Sequence, residues 1–154
     1  MAFFDAMNIS ASGLTAQRLR MDVISENIAN VNTTRTIHGG PYRRKTVLFQ
    51  EIQETPFGTL MRDTVEPDGT HRRRPPMGMG VRVQGVVRDE TPGPMMYDPS
   101  HPDANAEGYV RMPNVNIVEE MVNMISASRS YEANITAINT SRAMMQRTLE
   151  IGRN

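Results

Sequence analysis

Few side chains in this sequence sit where reaction chemistry would need them. The three histidines, His38, His71 and His101, fall in separate segments, and no two share the i, i+4 spacing that puts two metal ligands on one helix face. They read as solvated loop residues, and no metal or other cofactor is expected. His101-Pro102-Asp103 sets an imidazole beside a carboxylate, but no activated serine or cysteine motif accompanies it. A metal-dependent hydrolase, which would carry bound zinc or manganese, gains no support, and the chain reads as a non-enzyme. Gly78 and Gly80 lack the following helix that a pyrophosphate requires. Glu119 and Glu120 open a helical pattern, where they meet the positive end of its macrodipole. Two basic clusters, Arg43-Arg44-Lys45 and Arg72-Arg73-Arg74, could meet phosphate, an acidic protein patch or an anionic polymer. A solvated face is the commoner meaning of such runs.

The elements that would position these groups have an unusual layout. Two amphipathic helix patterns occupy the ends, and all ten prolines lie between Pro41 and Pro113. A chain with its apolar stripes at its termini must bury them against each other or against neighbouring copies. From Met7 to Val31 the column Met7, Leu14, Met21, Ile28 repeats every seven residues, with Ile24 and Val31 in a companion column. Asn8, Ser10 and Ser12 are candidate caps, and Gly13 weakens the first turn. The C-terminal pattern is stronger. Ile117, Met124, Tyr131, Ile138 and Met145 form one column, and Met121, Ile135 and Leu149 belong to its companion, which Ser128 and Arg142 interrupt. A 3.5-residue period predicts a coiled coil with left-handed supercoil. Pro113 and Asn114 mark its start and Gly152 its end.

Nine of the eleven glycines fall in the middle, where the strand expectations are Lys45 to Ile52 and Gly80 to Asp89, the second bulged at Gly85. Thr59 to Val65 should pair across the Pro67-Asp68-Gly69 turn, and the remainder reads as loop. The expected class is therefore α+β: long N- and C-terminal helices forming a coiled-coil layer (residues 1–36 and 114–154) and a small β-rich, Pro- and Gly-rich middle region (37–113).

Seventeen basic and seventeen acidic residues cancel among the 154, and they balance within each of the three segments, so no segment reads as a nucleic-acid-binding arm. Cysteine is absent, which removes disulfides and thiolate metal sites. The first residues hold no basic n-region and no long apolar core, so no cleaved signal peptide is expected, and no apolar run is long enough for membrane insertion. Thirteen methionines against four phenylalanines, four tyrosines and no tryptophan favour adaptable packing over a rigid aromatic core.

The stretch Ser25 to Thr33, with Asn27, Ala29, Asn30, Asn32 and Thr33, resembles the N-terminal signature of the bacterial flagellar axial family, which covers rod and hook subunits. Gly39-Gly40-Pro41-Tyr42 running to Lys45, and Tyr97-Asp98-Pro99 with His101-Pro102-Asp103, are similar to its proximal-rod members. So are Gly108-Tyr109 through Pro113-Asn114 and the segment Asn116 to Gly152. Two departures stand out: Thr33 to Gly40 replaces a short Thr-x-Gly-Tyr ending, and Phe57 to Met79 is long for the family. The resemblance implies a structural subunit of the proximal rod, exported uncleaved through the flagellar type III apparatus and assembled in the periplasm. Its terminal helices would form an inner tube around the export channel. The implied partners are copies of itself, other proximal and distal rod proteins, the adaptor between rod and MS ring, and the export apparatus. The two columns on each helix are the expected assembly interface, and the helical ends should order fully only when neighbours cover them. The alternatives are another rod or hook subunit, or a polyanion-binding module built on Arg72 to Arg74.

Overall fold

The computed structural model describes residues 2–37, 39–53, 64–65, 71–72 and 79–152. Helix α1 spans Ala2–Ala29 and helix α2 spans Ile117–Ile151, about 42 Å and 52 Å long at 1.5 Å per residue. Helix α1 starts five residues earlier than its periodicity suggests, so Asn8, Ser10 and Ser12 lie inside it rather than capping it. The cap of α2 is Asn116, whose side chain accepts from the amides of Val118 (3.0 Å) and Glu119 (3.5 Å). Asn114 is used elsewhere.

The helices are antiparallel, because contacts run in opposite order along them: Gly13 meets Asn134, Arg20 reaches Asn123, and Asn27 reaches Glu120. Small residues set this seam. A Cβ on Gly13 would lie 3.0 Å from the Asn134 amide, and Ala16 and Ala127 are buried.

Between the helices the described residues form three antiparallel two-stranded ribbons. Strand β1 (Lys45–Glu51) pairs with β4 (Val81–Arg88) from Lys45 opposite Arg88 to Glu51 opposite Val81. Leu48 faces Gly85 while Phe49 faces Val83, which leaves Gln84 as the extra residue of a bulge. The ribbon lies along α1 and is tied at both ends. Lys45 is held at Asn27, and the Val81 amide donates to Ser12 Oγ (3.1 Å), whose own hydroxyl donates to the Ile9 carbonyl (2.7 Å). Fifteen helical residues cover about 22 Å and seven strand residues about 23 Å, so the two ties match in spacing. Gly80 allows this approach: its φ is 115°, and a Cβ there would sit 2.3 Å from Ser12 Oγ.

Strands β2 (Thr64–Val65) and β3 (His71–Arg72) pair, which bears on the last two residues of the expected Thr59 to Val65 strand; residues 59–63 lie outside the described residues. The intervening Pro67-Asp68-Gly69 turn lies outside the described residues, as do His38, Arg73 and Arg74. Strands β5 (Met95–Tyr97) and β6 (Tyr109–Arg111) correct the reading of that region as loop. Their Tyr97 and Tyr109 rings meet edge to face at 5.2 Å. Three-residue strands are too short to show period-two alternation.

The buried apolar set among the described residues is thin: Ala16, Val23, Ile24, Tyr42, Val47, Val110 and Ala127. Such a core leaves much of the geometry to be set by polar contacts.

Candidate assembly surface and its polar junction

The expected interface residues separate into two groups. On α1, Ile24 is buried and Met7, Leu14, Met21 and Ile28 are half-buried, while Val31, also half-buried, lies in the turn after the helix rather than on it; on α2, Met124, Tyr131 and Ile138 are half-buried. Ile117, Met121, Ile135, Met145 and Leu149 remain exposed. The column of α2 that faces α1 beside Met124 and Tyr131 is Glu120, Ala127, Asn134 and Ser141, one place before the apolar companion column. Val118, Val122, Ile125 and Met144 join the exposed set, with Val118 65 % and Leu149 65 % accessible. Heptad columns miss Val118, Val122 and Ile125. Their i, i+4, i+7 spacing alone would have placed them on one face.

Beneath the start of that face lies a buried polar junction. Asn27 and Glu120 are each 1 % exposed. Asn27 Nδ2 donates to the Lys45 carbonyl (2.8 Å) and to Glu120 Oε2 (2.9 Å). Its Oδ1 accepts from the Tyr42 hydroxyl (2.9 Å) and the Lys45 amide (2.9 Å), so all four hydrogen-bonding positions of one side chain are used. Arg44 Nε donates to Glu120 Oε1 (2.8 Å), and Arg44 Nη2 reaches both Glu120 Oε1 (2.7 Å) and Glu119 Oε1 (2.8 Å). The Arg44 amide donates to Asn114 Oδ1 (2.8 Å), Asn114 Nδ2 donates to the Asp89 carbonyl (3.3 Å), and Lys45 pairs with Glu26.

Electrostatics follow from this enclosure. Burial, then the charges of Glu26 and Glu120, push the Tyr42 hydroxyl up to about 12, against an opposing pull from Arg88. Burial works against the Arg44 charge, but the hydrogen bond and charge of Glu120, then those of Glu119, more than offset it and raise the Arg44 pKa.

The junction also changes how two sequence features read. Glu120 is not merely a helix-end charge, and Arg44 and Lys45 are committed to internal carboxylates rather than available to a polyanion. Glu120 and Arg44 were missed as site residues because their partners lie 76 positions apart in the chain.

Most motif residues serve this region. Asn30 Nδ2 donates to the Glu26 carbonyl (2.9 Å) and closes the last turn of α1, while Thr33 Oγ1 donates to Asn30 Oδ1 (3.1 Å). The Thr33 carbonyl accepts from the Tyr42 amide (3.0 Å). Gly39 (φ 82°) and Gly40 (φ 77°) form the turn that brings Pro41 and Tyr42 back to the helix. Thr34 Oγ1 donates to Asp103 Oδ2 (2.8 Å), docking the loop that joins β5 to β6. Within that loop the Ser100 hydroxyl (2.7 Å) and amide (3.1 Å) donate to Asp98 Oδ1 and lower the Asp98 pKa, and the Asp103 amide donates to His101 Nδ1 (3.1 Å). Gly108 (φ 80°) packs against Tyr97 and Pro99, and Pro113 is buried. Ala29, Asn32 and Pro102 are exposed.

Among the described residues no group of three or more His, Asp and Glu side chains could hold a metal ion, and no helix is long and apolar enough to cross a membrane. What the arrangement offers is a helical hairpin with a β ribbon tied along α1 at two points, carrying an uncovered apolar face. That is the form of an axial assembly subunit. Residues 7–35 match the model of the family described as flagella basal body rod protein, and residues 106–151 match that of the flagellar basal body rod FlgEFG protein C-terminal region. Relatives named flagellar basal-body rod protein FlgC match over nearly the whole length. The protein of Borreliella burgdorferi is 48 % identical, over 98 % of each chain. That of Bacillus subtilis is 45 % identical over 99 % of this chain and all of its own, and that of Escherichia coli O157:H7 is 39 % identical over 99 % of each. The chain belongs to the FlgC family of flagellar basal-body rod proteins, structural subunits of the rod.

Proposed function

We propose that this subunit builds the proximal rod by packing the exposed face of α2 against neighbouring rod subunits: copies of itself, other proximal and distal rod proteins, and the adaptor to the MS ring. Residues 1–36 and 114–154 form the helical layer around the export channel, and 37–113 form the outer part. The subunit reaches the periplasm through the flagellar type III export apparatus without cleavage. It carries no catalytic activity; its work is mechanical.

One observation carries this reading. The seam between α1 and α2 uses Gly13, Ala16, Ala127 and Asn134, whereas Met121, Val122, Ile125 and Leu149 stay in solvent. A soluble monomer rarely leaves so many large apolar side chains on one helix face, and neighbouring subunits of the same assembly are the natural cover. The decisive test substitutes Val122→Asp and Ile125→Asp, with incorporation into isolated basal bodies and swimming as readouts. Both should be lost while the soluble subunit unfolds at its ordinary urea midpoint. Normal incorporation would overturn the proposal. Met124 and Ile138 make poorer targets, because they pack within the hairpin and their loss would damage the subunit itself.

A further inference from the structure

Helix α2 presents the wrong column to α1 if apolar burial alone decides. Met124, Tyr131 and Ile138 are common to two possible seams. One adds Glu120, Ala127, Asn134 and Ser141; the other adds Met121, Ser128, Ile135 and Arg142, while Leu149 lies past the start of α1 in either case. The two differ by a turn of roughly 50° about the axis of α2, half of one residue's 100° step. The second would bury Met121 and Ile135 against α1, and the structure adopts the first.

The groups that can hold α2 in this rotation are at its first turn. Glu120 is the one buried charge among the described residues, and its carboxylate accepts from Asn27 Nδ2 at 2.9 Å and from Arg44 Nε at 2.8 Å. A rotation of roughly 50° would pull those oxygens away from the buried Asn27 amide, which has no solvent to replace them, and from Arg44. Buried polar groups of this kind set register in helical pairs at some cost in stability. We infer that the Asn27–Glu120–Arg44 junction is the register-determining device of the hairpin. It holds the apolar companion column of α2 outward, so that this column is kept for other subunits instead of collapsing onto α1. The consequence for assembly rests on the proposed function above; the register itself does not.

The sequence has no cysteine, so engineered pairs report the rotation cleanly. A Cβ at position 13 lies 3.2 Å from Asn134 Cγ, the place an Sγ at 134 would take. In the full-length subunit, Gly13→Cys with Asn134→Cys should oxidise to a cross-link, and Gly13→Cys with Ile135→Cys should not. Adding Glu120→Leu or Glu120→Met should reverse that preference by on the order of tenfold. Glu120→Gln, which still accepts from Asn27 or Arg44, should keep the original one. Retention of the 13/134 preference in the Leu or Met variant would overturn the inference. So would failure of both to form helical protein while the Gln variant folds, since the rotated hairpin would then not exist as a competitor. Incorporation into basal bodies separates the two proposals: a reversed cross-link with normal incorporation would leave the register device standing and remove the assembly role of the α2 face.

Discussion

The two ends of the helical hairpin are built on different physics. At the junction end, Asn27, Tyr42, Arg44, Asn114 and Glu120 join α1, β1 and α2 through short, directional hydrogen bonds that are buried or half-buried. Midway along the hairpin Gly13 lies against Asn134, and at the open end the tail of α2 exposes Met144, Met145, Leu149 and Ile151. Directional bonds fix an angle and lose most of their value when displaced. Apolar surface tolerates sliding and adapts to more than one partner. A subunit that must hold its own parts at one geometry while fitting several neighbours gains from separating the two.

The most severe way to break this contrast is Asn27→Ala. It strips a partner from the Tyr42 hydroxyl, both main-chain groups of Lys45 and Glu120 Oε2, all in a buried site, and should cost about 3 kcal/mol. Asn134→Ala, midway along α2 and away from the junction, removes only a bond to the Ser130 carbonyl one turn back and should cost less than about 0.5 kcal/mol. Urea unfolding of the full chain measures both. Equal losses would erase the distinction between the junction and the rest of the hairpin.

A smaller effect sharpens the contrast along α1. Gly80→Ala introduces a Cβ 2.3 Å from Ser12 Oγ at a φ of 115°, and should cost about 2 kcal/mol by loosening the far tie of the ribbon. Hydrogen exchange should then quicken at Val81 and its neighbours while Lys45 and Tyr42 stay protected. Equal loosening at both ties would mean that the ribbon is held as one unit rather than at two points.

Much of this architecture was legible before any coordinates. The helices at both ends, the β1–β4 ribbon and its bulge beside Gly85 follow from periodicity, valine content and one glycine. The family signature located Asn27 and Tyr42. What periodicity could not supply was the owner of each stripe. Met121 and Glu120 are adjacent, and only the contact with Arg44, far away in sequence, decides which of them turns inward. Arg43-Arg44-Lys45 misled in the same way, since a run of like charges carries no sign that two members have internal partners. The early start of α1 was legible too, since Phe3 shares the seven-residue column of Ile24 and Val31, whereas β5 and β6 are too short for alternation to register.

The subtlest probe of the junction is Tyr42→Phe. The hydroxyl donates one hydrogen bond to Asn27 Oδ1, which keeps the Lys45 amide as a second donor, so at neutral pH the loss should be only about 1 kcal/mol. Its pH dependence is more telling. A tyrosine whose pKa rises from 10.0 in the unfolded chain to about 12 in the folded one holds its proton more tightly when folded. The stability this provides is complete below the unfolded value and is lost as pH climbs through the folded one. The parent should therefore lose more stability than the Phe variant between about pH 10 and about pH 12. Every other titrating group is common to both proteins, so the difference isolates this hydroxyl. If the two curves run parallel through that window, Tyr42 reaches solvent when folded, and the junction end of the hairpin is as open as the other.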